Sequence, residues 1–194
     1  MTARWVVEEV APHRDLNITW QSISLLKKNK PEVGSEYYEP VKQTHGYLRV
    51  LESLRAAEGD DAVFPLYWEF GRRIHHDEEL VFDPAEALKA IGADESHAAA
   101  FDDSKWDSEI QTRMDQGLAL TGEDVGTPLI AFNDSEGEKV ALFGPVITRV
   151  PSSEQSLQLW DGFVAMATIP GFWEVKRTRT ESPEFGERPG ALAG

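Results

Sequence analysis

The densest stretch of ionisable side chains in this sequence is Arg72-Arg73-Ile74-His75-His76-Asp77-Glu78-Glu79. Its chemistry would be proton transfer, because histidine is the side chain whose ordinary pKa lies nearest neutrality. His75 is therefore a candidate for a supporting proton donor, and the alternative, a helix-terminal histidine that interacts with the helix dipole, stays open. A metal site from His75, His76 and Asp77 is the weaker interpretation, since neighbouring side chains on a helix diverge by about 100°.

A second candidate is Val125-Gly126-Thr127-Pro128, which stands before the apolar run Leu129-Ile130-Ala131-Phe132. On its own, a Thr-Pro dipeptide at this place is most simply a turn that starts an edge strand.

The 194 residues contain no cysteine. Disulfides, cysteine-ligated metals and a thiol nucleophile are therefore excluded within this sequence. Hydroxyl groups do not replace a thiol in disulfide chemistry, and the sequence shows no base with an orienting group beside any of them. The hydroxyl side chains considered are those of Thr2, Ser22, Ser24 and Ser104.

Hydrophobic periodicity predicts the elements that must position these residues. A period of 3.6 predicts helices, and strict alternation predicts strands. The predicted helices are a short N-terminal one that ends near Ala11, then 37–57, 62–75, 84–91, 106–120, and one from Ser152 or Ser153 to about Ala167. The predicted strands are 16–25, then 129–132 and 140–143 as a hairpin, with residues 27–34 as a loop.

Composition limits the class of protein. Hydrophobic residues make up 41% of the chain, which suits one domain with an insertion. A net charge of −15 argues against nucleic acid and against an anionic membrane surface, since both need clustered cations. The N-terminus lacks a secretion signal and no run is apolar enough to span a membrane, so we expect a cytoplasmic protein.

Five tryptophans are expected in the core: Trp5, Trp20, Trp68, Trp160 and Trp173.

Four segments in order carry a resemblance to a known family. The first two are Gly122-Glu123-Asp124-Val125-Gly126-Thr127-Pro128 and Leu142-Phe143-Gly144-Pro145-Val146. The others are Leu159-Trp160-Asp161 and Phe172-Trp173-Glu174-Val175-Lys176-Arg177-Thr178-Arg179-Thr180-Glu181. With the first ten residues, which look like the family's first helix, this succession resembles the actinobacterial DsbA-like oxidoreductases, and within them the mycothiol-dependent nitroreductases.

The resemblance implies an α/β fold, namely a thioredoxin-like (DsbA-like) core with an inserted helical domain and the first β-strand missing. The implied core is 1–33 and 121–178, the insertion is 34–120, and 179–194 form a flexible tail. In the family an apolar strand and a Cys-Pro-Trp-x-Trp segment come before the matched helix. We therefore expect Met1 to be an internal residue of a longer gene product, and the alternative is a lineage that lost its redox centre.

The resemblance also implies a binding site. Thr127 and Pro128 match the family's cis-proline loop, whose backbone pairs with a bound thiol, and Val125 and Gly126 complete the loop. The bond before Pro128 is accordingly expected to be cis.

Three further residues fall at positions that line the family's cleft: His75, Asn29 and Tyr37. The simpler interpretation of Asn29 is a loop residue that bonds its own backbone, and that of Tyr37 is a half-buried helix aromatic.

Two main functional hypotheses follow. The first is a thiol-dependent oxidoreductase with mycothiol as reductant and no metal, whose catalytic cysteine lies upstream of this chain. The second is a redox-inactive module that binds a small thiol or a protein. A third, thiol conjugation activated by the hydroxyl of Thr2 or Tyr37, ranks last. Small-molecule thiols or reducible substrates are the expected partners, nucleic acid and membrane are not, and a homodimer is left open.

Overall fold

The computed structural model describes residues 1–192, which form two compact units. The first unit comprises Met1–Ile18 and Gln116–Gly186, and the second comprises Thr19–Asp115 and the residues from Glu187 onward. The domain division that the resemblance implies, with boundaries at 33/34 and 120/121, stays a prediction. Residues 193 and 194 of its tail lie outside the described part of the chain.

The first unit begins with one continuous helical run. It consists of α1 (Thr2–Trp5), a π-helical turn (Val6–Val10) and α2 (Ala11–Arg14). The predicted end near Ala11 is wrong, since helical structure continues through Pro12, which lies in the first turn of α2, directly after the π-helical turn. The run ends at Asp15, whose φ of 47° is left-handed.

The rest of the first unit is a hairpin and a helix. Strands β1 (Leu129–Asn133) and β2 (Lys139–Phe143) pair antiparallel, with Leu129 opposite Phe143. The predicted helix from Ser152 or Ser153 is α8 (Ser153–Ala167), and Ser152 caps it by accepting from the N–H of Gln155. The core of this unit is the face of the N-terminal helical run that carries Trp5, Val6 and Val10. It packs against these partly buried residues: Leu16, Ile18, Ile130, Ile147, Val150, Leu159 and Trp160.

The second unit is helical in its described residues. Its α-helices are α3 (Leu25–Asn29), α4 (Tyr38–Glu58), α5 (Val63–His75), α6 (Pro84–Ile91) and α7 (Asp107–Thr121), which continues past the boundary at Asp115. Short 3₁₀ segments are Asp60–Ala62, Glu95–Asp102 and Ser104–Trp106. The four long predicted helices are thus confirmed to within a residue at either end.

Tyr47 of α4 lies at the centre of the second unit's core. Its ring stacks on Phe82 at 4.5 Å between centroids, and its hydroxyl donates to the carbonyl of Leu80 at 2.9 Å. The same hydroxyl accepts the backbone N–H of Phe82 at 3.1 Å. The Tyr47 side chain therefore fills the core and also satisfies backbone hydrogen-bonding groups of the loop that leads into α6.

The predicted strand over 16–25 is wrong. Within residues 1–192 the strands are β1 and β2, and three polar groups of 16–24 have partners outside any sheet. The Trp20 carbonyl accepts from Arg55, the Ser22 hydroxyl donates to Glu52, and Ser24 caps α3, whose presence corrects the predicted loop. The described fold is therefore mixed α/β, mostly helical, with a two-stranded sheet.

Candidate functional site

The predicted binding loop lies between α7 and β1, in the first unit. Thr127 is exposed, and Val125, Gly126 and Pro128 are half-buried. The Pro128 carbonyl accepts the N–H of Gly144 at 2.8 Å, across the base of the hairpin. A Cβ added at Gly126 would lie 3.2 Å from Phe143 Cε2, so this backbone passes close to the aromatic ring. The loop is therefore held at both its middle and its end, with Thr127 presented to solvent.

The turn after β2 connects this loop to the first helix. Gly144, which binds the loop, is followed by Pro145, and the Pro145 carbonyl accepts the hydroxyl of Thr2 at 2.7 Å. Two peptide bonds of this region are cis, Thr127–Pro128 and Gly144–Pro145. The structure thus brings together the start of α1, the turn 144–145 and the loop 125–128.

The Thr2 hydroxyl has a structural task at this place. Thr2 is buried and its hydroxyl donates to a carbonyl, so it is engaged within the protein. Tyr37, the other hydroxyl of the conjugation hypothesis, is 67% exposed at the N-cap of α4, in the second unit. The half-buried environment predicted as the alternative for Tyr37 is therefore wrong.

Asn29 and His75 also belong to the second unit. Asn29 is the exposed last residue of α3, and His75 is the exposed last residue of α5. Partial desolvation by the surrounding protein, and the adjacent His76, lower the pKa of His75 from its ordinary value. His75 is therefore largely neutral at pH 7, a form that can accept a proton.

The structure reveals one hydrogen-bonded chain that sequence reasoning missed. Ser24 Oγ lies 2.9 Å from His45 Nδ1, and His45 Nε2 lies 3.0 Å from Asp107 Oδ1. This is a hydroxyl, a base and an orienting carboxylate, an arrangement that the sequence did not indicate because 21 and 62 positions separate the pairs. Ser24 has no exposed surface and its hydroxyl also caps α3, so a substrate does not reach it.

Burial and hydrogen bonding determine the protonation states of His45 and Asp107 in this hydrogen-bonded chain. Burial lowers the pKa of His45, although the hydrogen bond to Asp107 acts in the opposite direction. Burial opposes ionisation of Asp107, but the hydrogen bonds from Arg49 and His45 outweigh it and lower the pKa of that carboxyl. A neutral His45 that donates from Nε2 to Asp107 and accepts at Nδ1 from Ser24 satisfies every member of the chain.

A groove of about 530 Å³ lies elsewhere in the second unit, and none of the predicted site residues lines it. Its cations already have carboxylate partners: Arg55 pairs with Glu52, Arg113 with Glu52 and Glu109, and Lys105 with Asp103. The groove therefore offers no uncompensated charge to a ligand.

Residues 1–192 lack the arrangements typical of a cation site and of a helical membrane span. No group of three or more histidine, aspartate or glutamate side chains is placed to hold a metal ion there. In the same residues, no helix combines the length and the apolar character that crossing a bilayer requires.

The comparison with known proteins identifies the class. The model of a family described as "Rv2466c-like: Mycothiol-dependent nitroreductase Rv2466c" matches residues 1–177. The match covers most of the chain, so this protein belongs to that family of thiol-dependent oxidoreductases. The resemblance to mycothiol-dependent nitroreductases is thereby confirmed at the level of the family.

The mycothiol dependence of the family implies a low-molecular-weight thiol as cofactor, and the loop 125–128 is the candidate place for it. Thr127 is exposed, and Gly126 allows the loop backbone to pass close to the ring of Phe143, which a larger residue would meet. Backbone amides and a hydroxyl are suitable partners for a polar thiol.

Proposed function

We propose that this chain carries the thiol-binding loop of a mycothiol-dependent nitroreductase with a thioredoxin-like core. The observation that supports this most is the anchored loop, in which Gly144 holds the Pro128 carbonyl and Thr127 stays exposed. In this proposal the backbone of Thr127 pairs with the bound thiol, and Val125 and Gly126 shape the surface beside it.

In the proposed reaction, the thiol supplies the electrons that reduce the nitro group. Oxidation of two thiols to one disulfide releases two electrons and two protons, which reduce a nitro group to a nitroso group and water. The family's chemistry uses a cysteine thiolate as nucleophile, and the 194 residues contain none. The proposed enzyme therefore takes its cysteine from outside these residues, and we place its reaction in the cytoplasm.

The roles proposed for His75, Asn29 and Tyr37 remain predictions. His75 is the proposed proton donor or thiolate support; its lowered pKa favours the neutral imidazole at pH 7, which must first accept a proton before it can donate one. The polar side chains of Asn29 and Tyr37 are exposed and available to a ligand. Homodimer formation likewise stays a prediction.

The first experiment tests the origin of the cysteine. The protein is isolated from its native cells, its intact mass is measured and its thiols are titrated. A mass about 2–3 kDa above 21.7 kDa with one or more reactive thiols supports the oxidoreductase. A mass of 21.7 kDa without a thiol overturns it.

A second experiment tests the loop with the isolated protein. Thr127→Trp places a large side chain on the exposed loop position, and we expect mycothiol binding, measured by calorimetry, to weaken at least tenfold. Thr178→Trp, at an exposed position of the same unit outside the loop, is the matched control. Equal binding by both variants would contradict the assignment of the loop.

The second candidate is a redox-inactive module that binds a small thiol or a protein, and the absence of cysteine favours it. Binding of mycothiol without nitro reduction by the natural gene product would support the module. Turnover of a nitroaromatic with mycothiol would exclude it. Conjugation is excluded if Thr2→Ala and Tyr37→Phe leave any conjugating activity unchanged.

A further inference from the structure

The residues near the C-terminus lie along α5 in the second unit. The Arg188 guanidinium donates to both carboxylate oxygens of Asp77, at 2.6 and 2.5 Å. Arg72 Nε donates to the Pro189 carbonyl at 2.9 Å, and Trp68 Nε1 donates to the Gly190 carbonyl at 3.1 Å. Three consecutive residues of the tail are therefore each held by one side chain of α5 or of the residues just after it.

The side chains that hold the tail are themselves held in place. Arg72 forms an ion pair with Glu69, which is buried and also binds Arg73. Trp68 is only 9% exposed and packs against Phe64 with ring centroids 5.4 Å apart. Since Trp68 and Arg72 are four positions apart, they lie on one face of the helix. The face is thus a preformed set of donors aimed at consecutive peptide carbonyls.

The bound segment suits such a face. Pro189 restricts the backbone to an extended conformation, which lowers the entropy lost on docking. Arg188 adds a bidentate, charge-assisted contact that requires a carboxylate at one place. The hydrogen bond from Arg188 lowers the pKa of Asp77, so this carboxylate is ionised at neutral pH.

We propose that Trp68, Arg72 and Asp77 form a peptide-docking face for an extended Arg-Pro-Gly segment, and that its occupant is this chain's own Arg188-Pro189-Gly190. The contacts are polar and the bound residues are few, so ordering the segment offsets much of what they contribute. The segment therefore docks and undocks, and in the undocked state the indole N–H of Trp68 and Nε of Arg72 are open to another peptide of the same chemistry. This inference does not depend on the thiol site.

The test supplies the segment as a separate peptide and measures its binding to the docking face. A chain that ends at Glu187 is titrated into a fluorescein-labelled peptide of residues 187–194, and binding is followed by fluorescence anisotropy. We expect saturable binding, and binding at least about tenfold weaker when the peptide carries Arg188→Glu. Asp77→Arg in the shortened chain should weaken binding of the natural peptide and strengthen binding of the Arg188→Glu peptide. A folded shortened chain that binds neither peptide, or both equally, overturns the proposal.

A measurement on the full chain keeps the test valid if the shortened chain does not fold. The backbone ¹⁵N heteronuclear NOE of residues 188 and 190–192 is compared for the wild type, Asp77→Asn, Arg188→Gln and the double variant. We expect each single variant to lower the NOE of these amides and the double variant to add little, because both changes remove one interaction. Glu86→Gln removes a carboxylate that pairs with Arg73 instead of the tail, and should leave the NOE of the tail unchanged. An equal NOE in all variants overturns the proposal.

Discussion

His45 Nε2 lies 3.0 Å from Asp107 Oδ1, which ties the middle of α4 to the first residue of α7. Arg49, one turn further along α4, donates to the same oxygen at 2.7 Å. The carboxylate of Asp107 is therefore a common acceptor for two side chains of one helix face. This junction positions the two helices, and of the hydrogen bonds that His45 makes, the one it accepts at Nδ1 from Ser24 requires the neutral imidazole.

The first prediction concerns pH. Burial lowers the pKa of His45 in the folded state, so the unfolded chain takes up the proton at higher pH, near the ordinary value of about 6.5. The resulting stability is fully present above about pH 6.5 and is lost as the pH falls toward the lowered pKa. We expect urea unfolding to show lower stability at pH 5 than at pH 7, and His45→Gln to reduce that difference.

The control for this prediction is His13→Gln, since His13 is exposed on α2. The titration of Asp107 does not affect this measurement. Its pKa is lowered, so its contribution to the free energy of unfolding is lost only below about pH 4. An unchanged pH dependence in His45→Gln would contradict the role given to this histidine.

The second prediction concerns a buried carboxylate. Glu52 is 1% exposed and accepts hydrogen bonds from Ser22, Arg55 and Arg113. Glu52→Gln removes the buried carboxylate that Arg55 and Arg113 share and leaves them only the more exposed Asp60 and Glu109. We expect it to lower the free energy of unfolding by about 3 kcal/mol. Glu58→Gln, at the exposed end of the same helix, should change it by less than about 0.5 kcal/mol. Equal effects of the two substitutions in urea denaturation would contradict the stabilising role given to the hydrogen bonds and ion pairs of Glu52.

The third prediction compares two helical glycines. A Cβ added at Gly46 of α4 would lie 2.5 Å from Phe101 Cζ, whereas one added at Gly71 of α5 meets nothing within 4 Å. Gly46→Ala should therefore destabilise the protein by about 1–3 kcal/mol through overpacking. Gly71→Ala should stabilise it by about 0.5–1 kcal/mol, because alanine favours the helix. Thermal unfolding that moves in the same direction for both would contradict the close packing of Phe101 on α4.

The fourth prediction concerns the hydroxyl at the start of α1. Thr2 is buried and donates to the Pro145 carbonyl. Thr2→Val keeps the shape but removes the donor, and we expect a loss of about 1 kcal/mol or somewhat more. Thr2→Ser keeps the donor and should retain most of the stability. If chemical denaturation gives the same value for valine and serine, the contact does not hold the turn 144–145.

Local sequence signals predicted the helical elements well. Asp83-Pro84 marks the start of α6 at the residue observed, since the Asp83 carboxylate accepts the N–H of Ala85 at 2.9 Å. Gly59, with a φ of 93°, ends α4 as a glycine stop does. These signals act within a few residues, so they can be read without knowledge of the fold.

Long-range partners could not be predicted in the same way. The alternation in 16–25 is typical of a strand, but Glu52, Arg55 and His45 of α4 supply the partners of Trp20, Ser22 and Ser24. Trp173 was expected in the core and is 85% exposed, because periodicity alone does not show whether a neighbour covers a side chain. Of the candidate site, the motif predicts the loop 125–128, whereas its hydrogen bond from Gly144 joins residues on opposite sides of a hairpin and has no local sequence signal.

The hairpin has two ends with different tolerance to change. At its base, Leu129 is opposite Phe143, and the adjacent Pro128 and Gly144 hold the candidate loop. At its tip, Asp134 closes the turn by accepting the N–H groups of Glu136 and Glu138, far from that base along both strands. Because inserted residues at an exposed tip leave the register of the strands unchanged, the tip is the place to attach a tag, a fluorophore or a fused domain to this protein without altering the loop 125–128.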